Sequence, residues 1–195
     1  MEPLVLLLTA AAMDDPDDRA RLLSAKAGGR EAFEDLLRQH ERLVLATALR
    51  LLGNFEDAQD AAQEVFLRLH RNLVKVQATG NLPGWLYRVT VNVCHDLRRK
   101  RPEAARIEDA GDVPTTALDP QQTVTEAERR RALQLSLRRL SGKERAAFVL
   151  RDLEGLSTAE VAGALGSSEA TVRSQVSTAR VKIKKFLEEY FRRRI

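Results

Sequence analysis

The stretch STAEVAGALGSSEATVRSQVSTARVKIKK, residues 157–185, reads as two helices joined by a sharp turn. Ser157 followed by Glu160 is a capping box: the hydroxyl accepts from the Glu160 amide and the carboxylate reaches back to the Ser157 amide. Val161, Ala162 and Leu165 give the first helix an apolar face, Gly166 permits the left-handed backbone that ends it, and Ser168 is placed to cap the second. On the second helix Val172, Val176, Ala179 and Ile183 form an inward stripe, while Glu169, Thr171, Arg173, Ser174, Gln175, Ser177, Thr178 and Arg180 face outward. Small Ala162 and Gly163 let the two helices cross closely. This is the pattern of a helix-turn-helix, whose second helix docks in the DNA major groove. It is equally the pattern of a plain joined helix pair, so the surroundings have to decide.

The chain has 195 residues, enough for one domain or two small ones with real cores. Its basic residues come in clusters: residues 98–101, 129–131, 138–139, 182–185 and 192–194. A phosphate backbone is the simplest partner for several such clusters, and solvated helix faces are the alternative for any one of them. Cys94 is the single cysteine, which excludes an internal disulfide and a cysteine-rich zinc site and fits a reducing cytoplasm. His40, His70 and His95 have no metal-ligand spacing and read as ordinary surface or boundary residues. No apolar run approaches the roughly 20 residues that span a bilayer, so no membrane insertion is expected. Residues 1–16 read as an N-terminal extension to which no function is attached, and Met13 is an alternative start to Met1.

From Asp17 the pattern is helical. Phe33, Leu36, Leu37, His40, Leu43, Val44, Thr47, Ala48 and Leu51 recur at threes and fours, one long amphipathic helix or two in tandem, ended by Gly53-Asn54. Ala58, Ala61, Ala62, Val65, Phe66, Leu69 and Leu73 are the stripe of a further helix. Residues 74–83 lose the period and read as a loop, after which Pro83 suits the first turn of a helix lined by Trp85, Leu86, Val89, Val93 and Leu97. Residues 102–125 are acidic, rich in Ala, Pro and Thr and short of large apolar groups, the composition of a flexible linker. Helices at 126–140 and 143–153, separated by Ser141-Gly142, lead into the opening motif. No strand period is visible. The expectation is an all-α protein of two small helical domains, residues 17–101 and 126–195, joined by that linker.

Three segments then resemble, in order, the bacterial extracytoplasmic-function (ECF) sigma factors of the sigma-70 family. DAQDAAQEVFLRLHRNL (57–73) is similar to the family's second conserved region, and GWLYRVTVNVCHDLRRKR (84–101) to its helix that melts and reads the minus-10 element. Residues 140–183 are similar to its minus-35-reading domain. The resemblance covers residues 32–187. It implies a promoter-specificity factor with no catalytic residues and no cofactor. Its partners would be promoter DNA, core RNA polymerase (the clamp helices of the largest subunit and the flap of the second largest) and an anti-sigma factor.

The roles divide by segment. Asp57, Asp60, Gln63 and Glu64, with Phe66 and Leu67, would form the polymerase-docking face, acidic rim charges steering and an apolar side chain anchoring. Read without the resemblance, the same carboxylates could hold a divalent metal for a nuclease. Arg88, Asn92, Arg98, Arg99, Lys100 and Arg101 would supply a basic track for the minus-10 strand, and Lys75, Gln77, Thr79 and Asn81 a loop cradling a flipped base. Trp85 reads as core rather than as a stacking platform. At minus-35, Arg173 and Gln175 have the reach for base edges. Ser174, Ser177 and Thr178 suit phosphates, with Ser168, Glu169, Thr171, Arg180 and Lys182 completing the surface. Gln175, Thr178 and Val181 stand where the family more usually has basic residues, which implies weaker phosphate contact or a different site, and His70 stands where a tryptophan is common. In the linker, Glu103, Glu108, Asp109, Asp112 and Asp119 would mimic nucleic-acid charge along the polymerase cleft. A stand-alone helix-turn-helix regulator is the rival reading, and it gives residues 57–101 no purpose.

Overall fold

The computed structural model describes residues 16–76, 82–100 and 124–192, all of whose regular structure is helical. The apolar period over residues 33–51 belongs to one continuous helix, α2 (Arg30–Leu52), preceded by the short α1 (Pro16–Lys26). α2 stops where Gly53 adopts the left-handed conformation (φ 77°) and donates its N–H to the Leu49 carbonyl. Asn54 then starts α3 (Phe55–Asn72), its side chain accepting the Glu56 and Asp57 amides. α4 (Leu82–Lys100) opens with Pro83 in its first turn, where a missing N–H costs nothing. Ala58, Ala61 and Ala62 line the buried face of α3 and let it lie close to α2 and α4. Leu36, Val44, Val65, Leu69, Leu86 and Val93 fill the space between them.

The downstream half begins with α5 (Val124–Arg138). α6 (Gly142–Phe148) follows, held by a Ser141–Glu144 capping box. Instead of one helix to residue 153, the chain widens after Phe148 into a π-helical turn, Val149–Leu153, closed by the Glu154 N–H on the Val149 carbonyl at 2.9 Å. α7 (Thr158–Leu165) and α8 (Glu169–Arg192) complete it, packed through Leu150, Val161, Val172 and Val176.

These are the two expected helical domains, but they are in contact with each other. One apolar cluster runs from Leu36 and Val44 through Leu51 to Leu137, Leu140 and Val149. Tyr87 of α4 is fully buried in the second cluster, among Leu150, Leu156 and Val161 of the downstream half. Composition reveals a linker in sequence but not whether the bodies it joins touch.

The reading of His40 as a surface or boundary residue is corrected. It is buried (5% exposed), and its Nε2 lies 3.0 Å from Asp18 Oδ2 of α1, itself buried. A polar side chain on the inward stripe of α2 needs such a companion, and α1 brings one. His70 is exposed and meets Phe33 edge to face. Cys94 is buried, and burial pushes its thiol up to about 12, which makes it unreactive.

Candidate nucleic-acid interface

The helix-turn-helix forms as its punctuation dictates. Ser157 and Glu160 make both bonds of the capping box (2.7 and 3.2 Å), and Gly166 sits at φ 60°. Ser168 accepts the Thr171 amide at 3.1 Å, and the two hydroxyls share a further bond of 2.8 Å. Val172, Val176, Ala179 and Ile183 turn inward. Glu169, Thr171, Arg173, Ser174, Ser177, Thr178, Arg180 and Lys182 remain exposed, as does Ser168 at the turn.

Three residues on this face depart from the sequence picture. Gln175 is half-buried, and its Oε1 is covered with no hydrogen-bond partner among the described residues, so it does not stand free beside Arg173. Arg180 donates to both carboxylate oxygens of Asp152 at 2.7 Å, and that pairing raises its pKa. Lys182 reaches both oxygens of Glu144 at 2.7 and 2.9 Å. These cations tie α8 to the π-turn and to the start of α6. Among the described residues Arg173 pairs only along its own helix, with Glu169 at 2.7 Å, an exposed contact worth about 0.3–0.5 kcal/mol that a DNA ligand can displace.

On α4, Arg88, Asn92, Arg99 and Lys100 are exposed, Arg99 resting 3.9 Å from Asp96. Arg98 is half-buried and close enough to the downstream half for its charge to act on Arg145. Lys75 is exposed beyond the end of α3. Gln77, Thr79, Asn81 and Arg101 lie outside the described residues, as do residues 1–15 and the linker carboxylates named above.

The acidic face of α3 divides. Asp60, Gln63 and Leu67 form an outward line, with Leu67 44% exposed. Glu64 is held by Arg68 at 2.8 Å, Asp57 is half-buried, and Phe66 packs against the core. Among the described residues no three His, Cys, Asp or Glu side chains gather in a group that could hold a metal ion, so the nuclease reading has no geometry behind it. Likewise no described helix is long and apolar enough to cross a membrane.

Sequence reasoning missed a polar cluster between the two halves. The buried Glu154 carboxylate accepts from Thr47 Oγ1 (3.1 Å), from Tyr87 OH (3.2 Å) and from Arg50. Burial, then the adjacent carboxylate, raises the Tyr87 pKa far above its ordinary value, so the phenol stays a donor. Arg145 is buried and donates to the Leu137, Leu51 and Leu140 carbonyls at 2.7, 2.8 and 3.3 Å. Burial first, then the charges of Arg98 and Arg138, pulls its pKa down to about 9, which still leaves it cationic at neutral pH. One signal was present: Arg145 stands four residues before Val149, at an inward position of an apolar stripe, where a cation needs acceptors.

The comparisons with known proteins fall on the same two halves. Residues 36–103 match the family model Sigma-70 region 2, and residues 130–183 match Sigma-70, region 4. The chain is 36% identical over 171 residues to the ECF RNA polymerase sigma factor SigM of Mycobacterium tuberculosis, covering 86% of this chain and 84% of that one. It is 36% identical over 162 residues to the ECF RNA polymerase sigma factor SigE of Mycolicibacterium smegmatis, where it spans 82% of its own length and 63% of the relative's. Among solved structures it is similar to CnrH in complex with the cytosolic domain of CnrY, with a TM-score of 0.66 and 28% identity over 89% of this chain and 98% of that one.

Proposed function

The chain belongs to the ECF sigma factors of the sigma-70 family, and from that premise we propose that it directs core RNA polymerase to a specific set of promoters and starts transcription there. The observation that carries this reading is the order of the two matched regions on one chain, each with an outward face of the right chemistry. α8 presents Arg173, Ser174, Ser177 and Thr178 to a major groove; α4 presents Arg88 and Asn92 to a melted strand. Asp60, Gln63 and Leu67 face a basic arm of the polymerase. The factor supplies recognition and strand opening, and the bond-making chemistry stays with the polymerase. A protein partner that holds the factor inactive belongs to the same reading, supported by the likeness to CnrH, which was solved with the cytosolic domain of CnrY.

Run-off transcription with purified core polymerase on a promoter library tests it: a factor-dependent transcript is expected, and none across the library, with core from a related source, sinks the reading. Arg173→Ala is expected to cost about 1–3 kcal/mol at one base position, which marks base readout. Uniform weakening across all sequences assigns Arg173 to phosphate instead.

A further inference from the structure

We infer that His95 is a stacking platform on the strand-facing side of α4, its ring taking one unpaired base of the melted minus-10 strand; the inference rests on the promoter reading above and deepens it. A protein that holds a single strand combines a basic track for the backbone with rings on which bases stack. α4 has the track. Its exposed side chains are Arg88, Asn92, His95, Arg99 and Lys100. The first four recur at spacings of four, three and four, which at about 100° per residue keeps them on one line roughly 16 Å long. A strand laid from Arg88 to Arg99 therefore crosses His95.

The ring comes by elimination. α4 carries Trp85, Tyr87 and His95. Trp85 packs against the apolar core and Tyr87 is fully buried, so the ring left to meet a base is His95. The other two histidines are committed, His40 to buried Asp18 at 3.0 Å and His70 edge to face with Phe33. His95 is exposed between Asn92 and Arg99 on the same line. The neighbouring carboxylate does not oppose a strand there: Asp96 lies 3.9 Å from Arg99 and 4.0 Å from Arg68 of α3, so two cations balance it. A planar imidazole stacks on any of the four bases, because each has a π-face. His95 thus supplies grip on the opened strand and leaves base identity to other groups.

The test measures binding of a short labelled oligo(dA) strand to the full chain assembled with core polymerase, with core alone as the blank. The position is exposed, so its variants are expected to fold as wild type does. His95→Ala is expected to weaken binding about fivefold or more, the loss of one base stack. His95→Phe, which keeps a ring, is expected to restore it, and His95→Lys, which keeps only a donor, is not. A salt titration separates stacking from charge: His95→Ala keeps the wild-type slope, whereas Arg88→Ala loses about 0.7 of it. An abasic strand of the same length is expected to bind wild type and His95→Ala alike. Binding of oligo(dA) by His95→Ala within about twofold of wild type overturns the platform, as does wild-type binding no better than the blank. Rescue by Lys and not by Phe overturns it too and assigns His95 to phosphate. The predicted binding pattern with no transcript from wild type leaves the platform standing and sinks the promoter reading.

Discussion

Arg145 donates its Nη1 proton to the main-chain carbonyl of Leu51 at 2.8 Å, so a side chain of the downstream half completes the last turn of a helix in the upstream half. Arg145→Met keeps the aliphatic stem and takes the guanidinium donor from the Leu51 and Leu140 carbonyls, each at about 1–3 kcal/mol when nothing replaces it, while the Leu137 carbonyl keeps the Leu140 amide. We expect a loss of at least ~2 kcal/mol, which for a chain of this size lowers the thermal midpoint by about 4–8 °C. Unfolding followed by circular dichroism checks it, and a midpoint within about 2 °C of wild type contradicts the role given to Arg145.

Arg180 and Asp152 make a two-bond guanidinium–carboxylate pair between α8 and the π-turn. Such bidentate geometry is the strong end of a surface pair, near 1 kcal/mol. Arg180→Ala and Asp152→Asn are each expected to cost about that much, and the double variant hardly more than either alone. If Arg180 served only DNA, the Asp152 change would be neutral and the two effects would add. Salt titration of minus-35 binding supplies the second readout: loss of Arg173 is expected to change the salt slope more than loss of Arg180.

Several helices were legible because they carry their own punctuation. Ser157 with Glu160, Ser141 with Glu144, Asn54 and Gly53 act within a few residues of the backbone groups they satisfy, and the apolar stripes between them have one period. The outward face of α8 was legible for the same reason, since inward Val172, Val176 and Ala179 fix what is left outside. The contact between halves was not. Glu154 and Gly155 look like a surface turn, and the π-turn that carries Glu154 toward α2 inserts an extra residue that no periodicity announces. Tyr87 lies one position off the stripe of Leu86 and Val93, and only the partner body shows why it is buried. The half-burial of Gln175 was not legible either, because burial at a boundary position depends on neighbours distant in sequence.

Phe66 and Leu67 are adjacent yet face different surroundings: Phe66 packs on the core, and Leu67 is 44% exposed beside Asp60 and Gln63. Leu67→Ala is therefore expected to leave folding nearly unchanged and to weaken core-polymerase binding by about 1–2 kcal/mol, five- to thirtyfold. Phe66→Ala is expected to lower thermal stability instead. Asp60→Lys acts at long range, slowing association at low salt and losing its effect as ionic strength rises. Binding kinetics on immobilised core polymerase at two salt concentrations separate the three, and equal effects of Phe66→Ala and Leu67→Ala on stability contradict the assignment.

Glu160 gives the helix-turn-helix an acid-sensitive start. Hydrogen bonds from Ser157, side chain first and then main chain, hold its carboxyl below the usual carboxylate range. An unfolded glutamate titrates near about 4.3, so just below that value the unfolded chain binds more protons than the folded one. The contribution is therefore fully present above about pH 5 and is lost as pH falls through the depressed folded value. Gln at the same position still forms the box but does not titrate. Glu160→Gln is expected to melt close to wild type at pH 7 and to lose less stability than wild type between pH 5 and about pH 3. Ser157→Ala removes the cap at every pH, at about 1 kcal/mol, and flattens the same dependence. Thermal midpoints of the three proteins across that range check the sign, and parallel curves for wild type and Glu160→Gln contradict it.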